Sequence, residues 1–65
     1  NAALKIYNIL GQEIKTLFEG ENSPGTYTVK WDGDNNFGNM VGSGVYLCRI
    51  ITGTNYRTIK MLLLK

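Results

Sequence analysis

A chain of 65 residues makes a single domain, and a domain of this size buries only about 60% of the surface its unfolded chain exposes, which leaves no room for a deep catalytic cleft. Seven Lys and Arg against five Asp and Glu give a formal net charge of +2, spread over Lys5, Lys15, Lys30, Arg49, Arg57, Lys60 and Lys65. They form no phosphate-tracking block, which argues against nucleic acid as a partner. One Cys and no His exclude an internal disulfide and supply no zinc or haem ligand set, so no cofactor is expected.

Short apolar runs separated by Gly, Asn, Asp and Thr clusters predict an all-β chain of sandwich type, with turns about every 8–12 residues. Residues 3–9 read as the first strand, apolar on much of both faces, and Leu10-Gly11-Gln12 as the turn that ends it. A short strand over 13–18 follows, with Ile14 as its inward anchor and Leu17 or Phe18 closing it. Residues 19–25, with Pro24-Gly25 as their corner, are a loop. Residues 26–31 alternate cleanly, Tyr27, Val29 and Trp31 against Thr26, Thr28 and Lys30, as a half-buried strand requires. Trp31 is the largest core candidate. Residues 32–43 form the longest loop, with Val41 turned back to the core.

The run Gly44-Val45-Tyr46-Leu47-Cys48-Arg49-Ile50-Ile51 predicts a central strand covered on both faces. Thr52-Gly53-Thr54-Asn55 then reads as a hairpin loop leading into an antiparallel last strand over 56–64. On that strand Arg57, Ile59, Met61 and Leu63 share one side, and Tyr56, Thr58, Lys60, Leu62 and Leu64 the other. These are five strands where an immunoglobulin-like sandwich has seven, so one or two are expected to be missing before the first. The longest apolar run, Met61-Leu62-Leu63-Leu64, is far short of the roughly 20 residues that span a bilayer. The opening Asn1-Ala2-Ala3-Leu4-Lys5 lacks the layout of a signal peptide, and entry straight into a strand predicts a C-terminal piece of a longer polypeptide.

Three clusters invite chemical readings. Asp32-Gly33-Asp34-Asn35-Asn36-Phe37-Gly38 is similar to a calcium loop, but Gly falls one place late and no closing Glu follows; a turn whose Asp and Asn side chains cap backbone groups is the simpler reading. Glu13, Glu19 and Glu21 could be imagined as a glycosidase pair, yet they sit on a strand edge and a loop and read as solvated charges. Cys48, amid apolar residues and with no His to activate it, reads as a buried structural thiol. The rings of Tyr7, Tyr27, Trp31, Tyr46 and Tyr56 are expected to pack the core rather than stack on sugars.

The segment Leu4-Lys5-Ile6-Tyr7-Asn8-Ile9-Leu10-Gly11-Gln12-Glu13-Ile14-Lys15-Thr16-Leu17 resembles one family, and four further blocks fit in order. They are Pro24-Gly25-Thr26-Tyr27, Val29-Lys30-Trp31-Asp32-Gly33 with Asn36 and Gly38, Ser43-Gly44-Val45-Tyr46, and Lys60-Met61-Leu62-Leu63-Leu64-Lys65. Together they resemble the C-terminal sorting domain of type IX secretion substrates, which is similar in turn to the immunoglobulin-like domain of the flagellar hook-cap protein. The resemblance implies an immunoglobulin-like antiparallel β-sandwich without catalytic function, ending a secreted or cell-surface protein that crosses the periplasm and outer membrane. It implies as partners an outer-membrane secretion machinery protein and the N-terminal cargo domain of the same precursor. It carries recognition to Gly44, Val45, Tyr46, Lys60 and Lys65. The family's usual upstream Asn-Pro-rich segment and strand are not in this sequence, so an open sheet edge able to take a donated strand or to self-associate is expected. A structural module of a hook-cap or filament assembly, and an accessory carbohydrate-binding module, are the competing functions.

Overall fold

The computed structural model describes residues 2–21 and 30–64. Four strands, β1 (Ala2–Asn8), β2 (Glu13–Gly20), β3 (Gly44–Thr52) and β4 (Asn55–Leu63), form one antiparallel sheet in the order β2-β1-β3-β4. Two hairpins flanking a central antiparallel pair reproduce the C′-C-F-G sheet of immunoglobulin-like domains. The strand expected over 26–31 lies mostly outside the described residues, and its last two positions, Lys30 and Trp31, are not in a strand.

β1 stops one residue short of the expected Ile9 because Asn8 turns the chain. Its side-chain Oδ1 accepts from the backbone N–H of Leu10 at 2.9 Å and of Gln12 at 3.0 Å, and its Nδ2 donates to Gln12 Oε1 at 2.8 Å. Gly11, at φ 84°, takes the left-handed position such a turn needs. The turn leaves Ile9 and Leu10 exposed at its tip.

The pairing register divides the sheet into two faces. Leu4, Ile6, Tyr46, Cys48, Ile50, Ile59, Met61 and Leu63 share the inner face. Ile6 is completely buried between Cys48 and β2, and Tyr46 and Cys48 complete the buried cluster. Ile14, Leu17, Trp31 and Val41 pack onto it, as the sequence predicts for all four. Among the described residues, the segment 31–41 lies over this face through Trp31 and Val41. Trp31 meets the Tyr46 ring edge-on at 5.1 Å between centroids, and its indole N–H donates to the Asp34 carbonyl at 2.8 Å, so its polar tip is satisfied.

The outer face corrects the expectation that β3 is covered on both sides. Val45 and Arg49 are exposed, and Leu47 and Ile51 are only half-buried, between their cross-strand neighbours. The apolar run extends over both faces because this outer face mixes apolar and charged residues instead of alternating with them.

Tyr46 sits near the start of β3, and its hydroxyl donates back to the Gly42 carbonyl at 2.7 Å. A tyrosine entering strand F, two residues before a cysteine and bonded to backbone a few residues upstream, is the tyrosine corner of immunoglobulin-like folds. Here the cysteine position is Cys48, a free buried thiol.

Candidate functional site

The two blocks singled out for recognition are brought together by the β3–β4 hairpin. Gly44 pairs with Leu63, Val45 with Leu62, Tyr46 with Met61 and Leu47 with Lys60. Within this patch Val45, Lys60 and Leu62 face solvent. Ile9 and Leu10 run on beyond the Asn8–Tyr46 pair, so register sets them at the same end of the sheet, an apolar end of the kind that marks interaction sites. Tyr46 itself is buried and acts as a structural corner; only its neighbours are available to a partner. Lys65 lies outside the described residues.

The β3–β4 hairpin carries the cations Arg49, Arg57 and Lys60 and no Asp or Glu. Arg49 is held on the outer face between two rings, 4.9 Å from the Tyr56 centroid and 5.6 Å from that of Tyr7, a cation–π arrangement that replaces a carboxylate partner. This corrects the expectation that Tyr7 and Tyr56 pack the core: both lie on the outer face, with Arg49 against them. A shallow depression of about 100 Å³ beside Arg49 is lined by Tyr7, Gly11, Leu47 and Thr58. Arg49 thus lies against one side of each ring, while Tyr56 remains largely exposed.

The Asp and Asn cluster after Trp31 ties the inner layer to β2. Asn35 Oδ1 accepts from the N–H groups of Phe37 at 2.9 Å and Asn39 at 3.0 Å. Asn36 N–H donates to the Ile14 carbonyl at 2.9 Å, its Oδ1 accepts from Thr16 N–H at 2.9 Å, and Asp34 pairs with Lys15 Nζ at 3.1 Å. These side chains cap backbone, and the cluster seals the outer edge of β2 at Ile14 and Thr16. Glu13 is engaged by Lys5 at 3.3 Å, by the Thr16 hydroxyl and by Asn36 Nδ2. The hydrogen bond and charge of Glu13 raise the Lys5 ammonium above its ordinary value. Burial pushes the Cys48 thiol up, which lowers its nucleophilicity at neutral pH.

The sequence signal for the tyrosine corner is Tyr46 two residues before Cys48, a spacing not used in the reading of the sequence. The Asn36 seal and the Arg49 stack carry no sequence signal, since each joins residues far apart along the chain.

Strand order, the tyrosine corner and the inner-face core define an all-β, immunoglobulin-like domain. The family model of the FlgD Ig-like domain matches residues 1–55, and the chain belongs to that family, one of non-catalytic structural domains. Neither the curated proteins nor the solved structures provide a match.

Proposed function

We propose that this domain is a non-catalytic targeting module that directs a longer polypeptide through the type IX secretion system to the cell surface or medium. Its partners in this reading are an outer-membrane component of that machinery and the cargo preceding it in the same precursor. The supporting observation is the juxtaposition of the Gly44-Val45-Tyr46 block and the last strand on one hairpin, which makes a single surface from two blocks distant in sequence. The test is export of a signal-peptide-bearing fluorescent reporter ended by this chain, in cells that possess type IX secretion. The intact fusion is expected at the surface or in the medium. Deletion of residues 64–65, beyond the end of β4, or Lys60→Ala is expected to retain it in the periplasm. Equal export of all three overturns the role of these residues, and export of none overturns the reading.

The match to the FlgD Ig-like domain favours a second reading, a structural module of a hook-cap or filament assembly. That reading predicts concentration-dependent self-association of the folded chain in sedimentation, without any export phenotype.

A further inference from the structure

The two edges of the sheet differ. The outer edge of β2 is occupied at Ile14 and Thr16 by the backbone and side chain of Asn36. Among the described residues the outer edge of β4 meets no other strand, and no backbone hydrogen bond from the described loops reaches residues 55–63. At nine residues and about 3.4 Å per residue this edge, unpaired among the described residues, is roughly 30 Å long.

Sheets normally protect such an edge by keeping it short, by bulging it, by placing Pro on it or by charging it. β4 is long, pairs with β3 without a register shift and contains no Pro. It is also apolar on both faces: Ile59 is 45% exposed on one, Leu62 65% and Tyr56 64% on the other. Only charge guards it. Arg57 and Lys60 lie three positions apart, hence on opposite faces, and neither makes an ion pair among the described residues.

We infer that β4 is the acceptor edge for an extended segment of a partner polypeptide carrying two carboxylates three residues apart, one set beside Arg57 and one beside Lys60. Strand addition supplies affinity through main-chain bonds and leaves specificity to alternate side chains. A second β4 is a poor occupant, because it brings Arg57 and Lys60 of both copies into one ladder with no acid to offset them. The acid-bearing strand of a second copy, β2, is a poor match because its outer edge is occupied at Ile14 and Thr16 by Asn36 and its acids Glu13 and Glu19 stand six apart rather than three. An acidic strand of a different polypeptide satisfies both cations and covers the apolar residues between them. The inference does not depend on export, and its test is made on the purified chain.

The test is titration of the ¹⁵N-labelled full chain with a capped nine-residue peptide of alternating Val and Thr in which two Glu stand three apart, and with its Lys counterpart. The acidic peptide is expected to shift the amides of 55–63 saturably and to protect them from exchange, and the Lys peptide to bind about ten-fold more weakly, the scale of two exposed charge pairs changed from attraction to repulsion. The double variant Arg57→Glu, Lys60→Glu is expected to reverse the preference. Should it lose its cooperative melt, Arg57→Gln with Lys60→Gln is expected to erase the preference while keeping the fold. Four results overturn the inference: β4 amides already as protected in the free chain as those of β1, equal binding of both peptides to the unaltered chain, shifts centred on Arg49 instead of β4, or dimerisation through β4 without peptide.

Discussion

The sheet is made of two hairpins of similar length that have been finished in opposite ways. In the β1–β2 hairpin the ladder carries register irregularities, the loop after Trp31 lies along its edge, and each cation is spent internally: Lys5 on Glu13 at 3.3 Å and Lys15 on Asp34 at 3.1 Å. In the β3–β4 hairpin the ladder is regular, no described segment lies along the edge, and Arg57 and Lys60 find no acid within the hairpin. The first hairpin supplies the fully buried Ile6 and shares the core with Tyr46 and Cys48 of β3. The second presents apolar and basic surface outward at β4.

Paired truncations at equivalent inner-face positions test this division most severely. Ile6 is fully buried, and Ile6→Ala is expected to cost about 2–5 kcal/mol out of a total that for a chain of this size is roughly 3–10 kcal/mol. Loss of the cooperative thermal transition is the expected outcome. Ile59 lies on the same face, one strand beyond Cys48, but is 45% exposed, so Ile59→Ala is expected to cost about 1 kcal/mol or less. Equal destabilisation by the two would mean that β4 is as much part of the core as β1. Trp31→Ala, at a half-buried ring with one hydrogen bond, falls between them at about 2–3 kcal/mol. Tyr46→Phe removes only the bond to Gly42 and is expected to cost about 0.5–1.5 kcal/mol, read as a lowered Tm with the transition intact.

The Asn36 seal offers a local version of the same comparison. Asn36→Ala leaves Thr16 N–H without its acceptor at a cost of about 1 kcal/mol. Amide exchange at Thr16 is expected to accelerate while exchange along β4 stays as it was. Acceleration spread evenly over both hairpins would show that the loop stabilises the whole sheet and not one edge.

Which features could be read from the sequence follows from whether their signal is local. The positions of β1 to β4, the turn at Gly11, the inward Ile14 and Leu17 and the returning Val41 follow from alternation and turn chemistry within a few residues, whereas Trp31 reaches the core from outside any strand. The exposed outer face of β3 did not, because Val45, Leu47 and Ile51 are as apolar as the residues opposite them, and periodicity cannot tell a face buried by a second layer from one partly shielded by its own neighbours. Arg49 was the one polar signal in that run, and its stacking on Tyr7 and Tyr56 depends on a pairing register no local pattern reveals. Of the residues expected to carry recognition, Val45 and Lys60 face solvent, whereas the Tyr46 ring is buried and its hydroxyl bonded to Gly42.

The smallest effect concerns the pair that makes the first hairpin electrically self-contained. Glu13 holds the Lys5 ammonium above its ordinary value of 10.5, first through their hydrogen bond and then through its charge. A cation whose pKa is raised by folding contributes stability that is fully present below its unfolded value, about 10.4, and that is lost as pH rises through the higher folded value. The Tm difference between the unaltered chain and Glu13→Gln is therefore expected to stay constant from pH 7 to 9 and to shrink above about pH 10.5. Measuring it as a difference cancels the alkaline destabilisation common to both proteins. A gap that stayed open past the folded value would place the contribution of Glu13 in its bonds to Asn36 and Thr16, and the hairpin would then be held by the loop that seals it more than by its own ion pair.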